Sequence, residues 1–448
     1  MLHWKQGVFP VLLSNGFQNL RLNKHPFYRF RLFSLLIVAP LAILSLFTLW
    51  FGYKHVSYSI YHPPLRALNE TIDAVFSHGC KNVALEAQMH PRMNATFVVL
   101  ARNSEVDGVV SSMRSVESHF NRHFNYPYVF LNDVPFDDNF KDAVLKETSA
   151  FVEFGTLDAE SFGFPNWANL EVEKEEIAKQ GDLGIMYGDM ESYHHMCRFF
   201  SGFFYKHPLM QKYQWYWRVE PDIEFTCDIT YDPFYYMDIN KKMYGFVIAI
   251  KELEDTVPNM FRYVSAYKRE HKLDSDLWDF FITKKDKKAR SAMPLTTIDK
   301  KAQIMHAFKN FPQNSLKGLL VDENADSTTQ MEGDAYNMCH FWSNFEIANL
   351  DLFRNDEYEQ FFHEMEQTGG FWRERWGDAP FHSLAAGLLL RKEQLHYFRD
   401  FGYRHSDIYH CGQNLGCNCE CLPNIEEIEA KPGACIKEWA DIMGGFLD

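Results

Sequence analysis

Glu220-Pro221-Asp222 places two carboxylates two residues apart. The proline holds the preceding Glu220 towards an extended backbone, in which alternate side chains share a face. Such a pair suits a divalent cation with hard oxygen ligands, and a cation of that kind disperses the charge of a diphosphate leaving group. Taken alone, the tripeptide also reads as an ordinary surface turn. Its place sets it apart, because it ends the strand candidate 214–219 and ligands in open α/β sheets lie beyond the carboxyl ends of strands. Other polar residues in apolar settings have plainer readings. Glu346, flanked by Phe341, Trp342 and Phe345, reads as a structural carboxylate among core aromatics. His405, in an aromatic and basic setting, reads as a packing or hydrogen-bonding histidine, and Asp378, just ahead of Pro380 and the apolar run 384–390, as a helix N-cap.

Longer stretches around these residues carry a resemblance. Tyr213-Gln214-Trp215-Tyr216-Trp217-Arg218-Val219-Glu220-Pro221-Asp222 resembles the acid motif of the fungal α-1,2-mannosyltransferases that build mannan chains, glycosyltransferase family 15. Tyr336-Asn337-Met338-Cys339-His340-Phe341-Trp342-Ser343-Asn344-Phe345-Glu346-Ile347 resembles a second block of that family. Arg375-Trp376-Gly377-Asp378-Ala379-Pro380 and Gly402-Tyr403-Arg404-His405 resemble two more, in the same order. With Tyr126-Pro127-Tyr128-Val129-Phe130-Leu131-Asn132-Asp133 upstream, the similarity covers most of residues 95–425.

The resemblance implies an α/β, GT-A-like fold with a mixed, mainly parallel central sheet. It also implies GDP-mannose as donor, Mn2+ as cofactor, and retention of the α configuration as mannose is added to mannosylated glycoprotein acceptors, O-linked or N-linked. Glu346 becomes the nucleophile or stabiliser facing the anomeric carbon, Asp378 an acceptor-side carboxylate, and Tyr193 a tyrosine near the reacting sugar. Glu220 and Asp222 fall at the cofactor, with Glu220 and His405 as metal ligands. Imidazole with carboxylate and phosphate oxygens suits manganese better than magnesium. Val134 after Asn132-Asp133 and the long excursion after Met260 depart from the family pattern and bear on acceptor choice. The alternatives are a glycoside hydrolase, which also pairs carboxylates with aromatic platforms, and a non-catalytic mannan-binding or scaffolding protein of the same fold.

The elements that must position these residues follow from periodicity. The β-rich run 95–101, an amphipathic stretch 108–124 and a second run 128–131 read as a βαβ unit, hence parallel strands. Runs 214–219 and 243–250 supply two further strands. Residues 262–330 turn polar and charged and read as an inserted, mainly helical excursion.

The chain has 448 residues, 46% of them hydrophobic, enough for one large domain or two fused lobes. Residues 32–53 carry no charge, and at roughly 1.5 Å per residue they are long enough for a hydrocarbon core of about 30 Å; Pro40 within them is tolerable in a membrane helix. Lys5, Arg21, Lys24, Arg29 and Arg31 precede the run with no acidic residue, which places a tail, 1–31, in the cytosol and the rest in the lumen. The expected order is then a single-pass type II anchor at 32–53, a stem at 54–93 and a catalytic domain at 94–448, in the Golgi membrane by the resemblance. Sequons at Asn69 and Asn94 agree with a lumenal body. A net charge of −15, with a basic tail, leaves the body acidic and argues against nucleic acid as a partner. All nine cysteines follow the anchor, so disulfides are expected to pin the crowded segment 411–421, with at least one cysteine left over.

Overall fold

The computed structural model describes residues 39–61, 68–69, 71–284, 330–331, 334–412, 414–422 and 425–445. The chain divides into two units, one up to Pro64 and one from Leu65 onwards. The first contains a single described helix, α1 (Ala39–Tyr61), with Leu41, Leu44, Leu46 and Leu49 all exposed. It overlaps the second part of the expected span 32–53 and runs beyond it through Lys54; residues 32–38 lie outside the described residues. Among the described residues no helix is long and apolar enough to cross a membrane.

In the large unit, seven strands form one sheet: β1 (Ala95–Leu100), β2 (Tyr128–Asn132), β3 (Val152–Thr156), β4 (Trp215–Arg218), β6 (Tyr244–Phe246), β7 (Glu346–Asn349) and β8 (Leu395–Tyr397). Their order across the sheet is β8-β6-β7-β4-β1-β2-β3. All neighbours are parallel except β7, which runs antiparallel to both β4 and β6. The expected mixed, mainly parallel sheet is therefore present. Because both faces are covered, the strands are apolar on both sides. Phe97, Val99, Trp215, Trp217 and Ile347 face the helix α2 (Val106–Val116) with its buried Val109, Met113 and Val116. Val98, Tyr216, Tyr244 and Ala348 share the other core with the helices α3 (Glu191–Gly202) and α5 (Asp378–Leu389).

A smaller three-stranded antiparallel sheet joins β5 (Ile223–Phe225), just past the end of β4, to β9 (Tyr403–His405) and β10 (Ile408–His410). The expected strand 243–250 is broken at Val247: its second part, Ala249–Lys251, leaves the main sheet to pair with Cys339–Phe341.

Two boundaries differ from the expectation. Residues 71–93, assigned to the stem, pack into the large unit. Asp73 is buried there, accepting from Lys242 Nζ at 3.0 Å, His396 Nδ1 at 2.7 Å and the Tyr397 amide at 2.8 Å. The start of the polar excursion is also core. The helix α4 (Met260–Glu270) buries Phe261, Val264 and Tyr267, and Leu277, Trp278, Phe280 and Phe281 follow them. In both places a few apolar or paired residues at the right spacing sit in a polar background that average composition conceals. Residues 285–329 lie outside the described residues.

Three disulfides, Cys80–Cys417, Cys227–Cys419 and Cys339–Cys435, tie the C-terminal segment to the body, and Cys411–Cys421 closes a loop within it, with Cys197 left as a buried thiol. The crowded segment is pinned as expected.

Candidate active site

The site begins where β4 ends. Its last residue, Arg218, is buried and aims its guanidinium among carboxylates on the α3 and α5 side of the sheet. Nε donates to Glu220 Oε1 at 2.5 Å, while Nη1 donates to Asp378 Oδ2 and to Ser343 Oγ at 3.3 Å. Asp378 Oδ2 also accepts from the Ser343 hydroxyl at 2.7 Å. The Phe200 ring lies 3.5 Å from the guanidinium carbon and closes that side. Burial alone would push Asp378 up, but Arg218, His382 and the Ser343 hydroxyl outweigh it and hold the carboxyl below its usual range. Arg218 is raised well above an ordinary guanidinium, since Asp378, Glu220 and Glu346 overcome its burial. Asp378 is the first residue of α5, whose N-cap position is Gly377, so its carboxylate serves Arg218 rather than the helix end expected of it.

Antiparallel pairing of β7 with β4 sets Glu346 directly opposite Arg218. Residues at paired positions share a face, and Tyr216, two residues back, shares it too. Glu346 is fully buried with both oxygens bonded: Oε2 accepts from the Tyr216 hydroxyl at 2.6 Å and Oε1 lies 2.8 Å from His382 Nδ1. Burial and Glu346 together hold the Tyr216 hydroxyl well above its usual range, so it remains a donor.

Glu220 and Asp222 form the outer edge. Asp222 is exposed and has a left-handed backbone, φ 60°. Its amide donates to the Gly108 carbonyl at 3.1 Å, and Ser112 Oγ holds the loop between the Glu220 carbonyl, 2.8 Å, and the Ile223 amide, 3.0 Å. A β-carbon at Gly108 would stand 2.7 Å from Asp222 Oδ2, so only glycine there leaves the carboxylate its place.

His405 arrives from the far end of the chain by sheet register, opposite Ile223 and hence beside Asp222. It is half-buried, with its ring stacked near Trp342 at 5.6 Å between centroids. Burial pushes the imidazole below its usual range, opposed by Glu220 and Asp222, so the ring is neutral at neutral pH. The Asn344 side-chain amide meets Nδ1 at 3.0 Å, which leaves Nε2 for a ligand. Turned so that its carbonyl faces the ring, that amide accepts from Nδ1–H, the tautomer a ligating histidine uses. A neutral imidazole beside two carboxylates fits a manganese ion. Among the described residues, the groups of three His, Cys, Asp or Glu whose ligand atoms lie within 4.8 Å of one another are elsewhere. A cation held by His405 with Glu220 or Asp222 would thus share its remaining positions with phosphate oxygens.

Tyr193, on α3, is half-buried, and its hydroxyl lies 3.5 Å from Arg375 Nη1, with the guanidinium 5.3 Å from the ring centre. Arg375 in turn reaches Glu252 at 3.5 Å. Burial is the main reason the Tyr193 hydroxyl is raised well above its usual range, with Cys197 adding to it and Arg375 opposing.

The structure therefore gathers Glu220, Asp222 and His405 at one edge and Asp378 and Glu346 behind them, joined by Arg218, with Tyr193 approached through Arg375. Sequence reasoning passed over Arg218, Tyr216, Ser343, His382 and Gly108. Arg218 had a signal, as the one charge in the aromatic strand Trp215–Arg218, and His382 sits one turn after Asp378 on the same helical face.

The arrangement has known relatives. The sequence pattern of the family described as Glycolipid 2-alpha-mannosyltransferase matches residues 66–444. O-glycoside alpha-1,2-mannosyltransferase homolog 4 of Schizosaccharomyces pombe is 58% identical over 449 residues, covering 100% of both chains. Probable mannosyltransferase KTR7 of Saccharomyces cerevisiae is 44% identical, covering 83% of this chain and 81% of its own. Among solved structures, core-mannan synthase A (CmsA/Ktr4) from Aspergillus fumigatus in its Mn/GDP form superposes with a TM-score of 0.66 at 31% identity, over 86% of this chain and 94% of the other. The mannosyltransferase Ktr4p of S. cerevisiae in complex with GDP gives 0.66 at 29% identity, over 88% and 91%.

Proposed function

Because the chain belongs to the glycolipid 2-alpha-mannosyltransferase family, we propose that it moves mannose from GDP-mannose to mannoside acceptors on glycoproteins, in α-1,2 linkage and with retention at the anomeric carbon. It is a mannosyltransferase, a glycosyltransferase by reaction class. The observation that carries the metal and diphosphate part of this reading is the register that pairs His405 with Ile223, next in the chain after Glu220-Pro221-Asp222, so that both carboxylates act on its ring beyond the end of β4. A manganese ion there would disperse the charge of the departing diphosphate.

The remaining chemistry belongs to the chain's own residues. Glu346 lies behind the metal edge with its carboxylate fixed by Tyr216 and His382. A negative charge held in a low-dielectric setting stabilises an oxocarbenium-like carbon, and its two fixed hydrogen bonds suit an electrostatic stabiliser better than a freely swinging nucleophile. Asp378, held by Arg218 and Ser343, is the acceptor-side carboxylate of this reading, and Tyr193, beside Arg375, the tyrosine near the reacting sugar.

Placement in the Golgi membrane as a single-pass type II protein is part of this reading. It rests on the uncharged run 32–53, on the basic tail before it and on the apolar exposed surface of α1.

The test is an assay of the full-length chain with GDP-mannose, Mn2+ and a panel of mannosides, reading product linkage by nuclear magnetic resonance. EDTA should abolish transfer and added Mn2+ restore it. Glu346→Gln should bind GDP-mannose with unchanged affinity while turnover falls by roughly 10²- to 10³-fold. Full activity in EDTA removes the metal assignment, binding of mannosides without donor turnover favours the lectin alternative, and wild-type turnover of the Glu346→Gln variant removes Glu346.

A further inference from the structure

His382 lies on α5 one turn after Asp378 and is completely shielded from solvent. Both of its ring nitrogens face acceptors, Nδ1 the Glu346 Oε1 at 2.8 Å and Nε2 the Phe200 carbonyl, on α3, at 2.9 Å. A neutral imidazole carries one N–H and can satisfy one of them; two donated bonds need the imidazolium. The rings of Phe353 and Phe204, 4.9 and 6.1 Å away, close the sides. The charged groups facing it are Glu346 from β7 and Asp378 from its own helix, with Arg218 of β4 paired to Asp378. Burial pushes the imidazole down, but Glu346 and Asp378 outweigh it and raise the ring above its ordinary range.

We propose that His382 is a positioning residue for sugar transfer: anchored on the Phe200 carbonyl, it fixes the direction in which the Glu346 carboxylate presents its charge to the reacting carbon. The inference rests on the reading of Glu346 given above. A glutamate side chain turns about three bonds, and one hydrogen bond from Tyr216 leaves the second oxygen free to swing. His382 supplies the second point, and it is itself held at both ends between a helix backbone and the first residue of a central strand. A misplacement of about 1 Å at a reacting group costs on the order of 10²-fold in rate.

Two substitutions separate its two bonds, because the amide of Asn reaches the position of Nδ1 and that of Gln the position of Nε2. In the full-length chain, His382→Asn should keep the bond to Glu346 and lose less than about 10-fold in kcat, while His382→Gln keeps the bond to Phe200, abandons Glu346 and loses about 10²-fold. KM for GDP-mannose and the fraction folded should be alike in both. A purely structural histidine gives the other pattern, with both variants losing activity in proportion to lost folded protein, and equal kcat per folded molecule overturns the proposal. The wild-type pH profile reads the same bond without a variant: the neutral ring keeps its one N–H for the charged acceptor Glu346, so kcat should fall on the alkaline side by no more than in His382→Asn, with KM unmoved, and an alkaline loss of about 10²-fold overturns the proposal. Glu346→Gln runs alongside. Wild-type turnover in that variant removes the reading of Glu346 and this inference with it, whereas an inactive Glu346→Gln variant with equal His382 variants removes this inference alone.

Discussion

Gly108 carries the sharpest consequence at the scale of single residues. In the first turn of α2 a glycine costs helix stability, and alanine there would ordinarily add about 0.5–1 kcal/mol. Its neighbour reverses the functional sign, since the new β-carbon would meet Asp222 Oδ2 at 2.7 Å and the carboxylate would have to move. Gly108→Ala should therefore melt at the same temperature or slightly higher while its Mn2+-dependent affinity for GDP falls roughly 10- to 100-fold, as with other residues that orient metal ligands. Calorimetric titration with GDP and Mn2+ checks it, and unchanged affinity would place Asp222 outside the metal site. Glu220 and Asp222 could be suspected from type, spacing and their place after a strand-like run. Gly108 could not, because a glycine near the start of an amphipathic helix looks like a defect until the chain more than a hundred residues later is laid against it.

Elements decide which of these residues meet. Arg218 and Glu346 come together through antiparallel pairing of strands far apart in sequence, and His405 is brought opposite Ile223, the residue after Asp222, through the register of a second small sheet. Periodicity along the chain reveals strands but not their partners, so β1, β2 and β4 were readable from local pattern while the reversed β7 was not. The same limitation hid a buried trio that ties β10 to the segment near the C-terminus. His410 Nδ1 lies 2.6 Å from Glu429 Oε1, which also accepts from Tyr397 at 2.9 Å, and His410 Nε2 lies 3.1 Å from the Arg399 carbonyl. Burial pushes His410 down, but Glu429 and the Arg399 carbonyl prevail, with Glu427 adding to them, and the folded imidazole holds its proton above its ordinary range. The sign follows from linkage: the folded state binds this proton more tightly, so the stabilisation is complete below the unfolded value of about 6.5 and disappears as pH rises through the raised folded value. Denaturant unfolding of wild type and His410→Gln should show their largest difference at mildly acidic pH and a shrinking one towards alkaline pH. A constant difference would mean that folding leaves the His410 pKa unchanged, and one that grows towards alkaline pH would mean that His410 is neutral when folded.

At the scale of the whole molecule, the informative boundary is the one between stem and body. Composition places it near residue 94, where the first strong strand begins, because residues 71–93 hold no sustained apolar pattern. Their attachment depends on a few specific links. Asp73 neutralises Lys242 and bonds His396 in the interior, Phe76 stacks on His396 at 3.7 Å, and Cys80 is bonded to Cys417. Burial pushes Asp73 up, yet His396, Lys242 and the Tyr397 amide together hold its carboxyl below the usual range, so the pairing with Lys242 persists at neutral pH. A chain cut at residue 94 would leave Lys242 buried without its counter-charge, at a cost of about 3–5 kcal/mol, and would lose a long-range disulfide of about 2–5 kcal/mol. Against a total stability of roughly 5–15 kcal/mol, that is a large fraction of what holds the domain together. Secreted expression of chains beginning at 65 and at 94 makes the comparison direct. The longer chain should be recovered as folded protein with one thiol, Cys197, reactive only after denaturation. The shorter one should be poorly recovered, melt lower and expose a second thiol at Cys417. Asp73→Asn and Cys80→Ser in the longer chain divide the loss between ion pair and disulfide, and equal melting temperatures for the two lengths would return residues 71–93 to the stem.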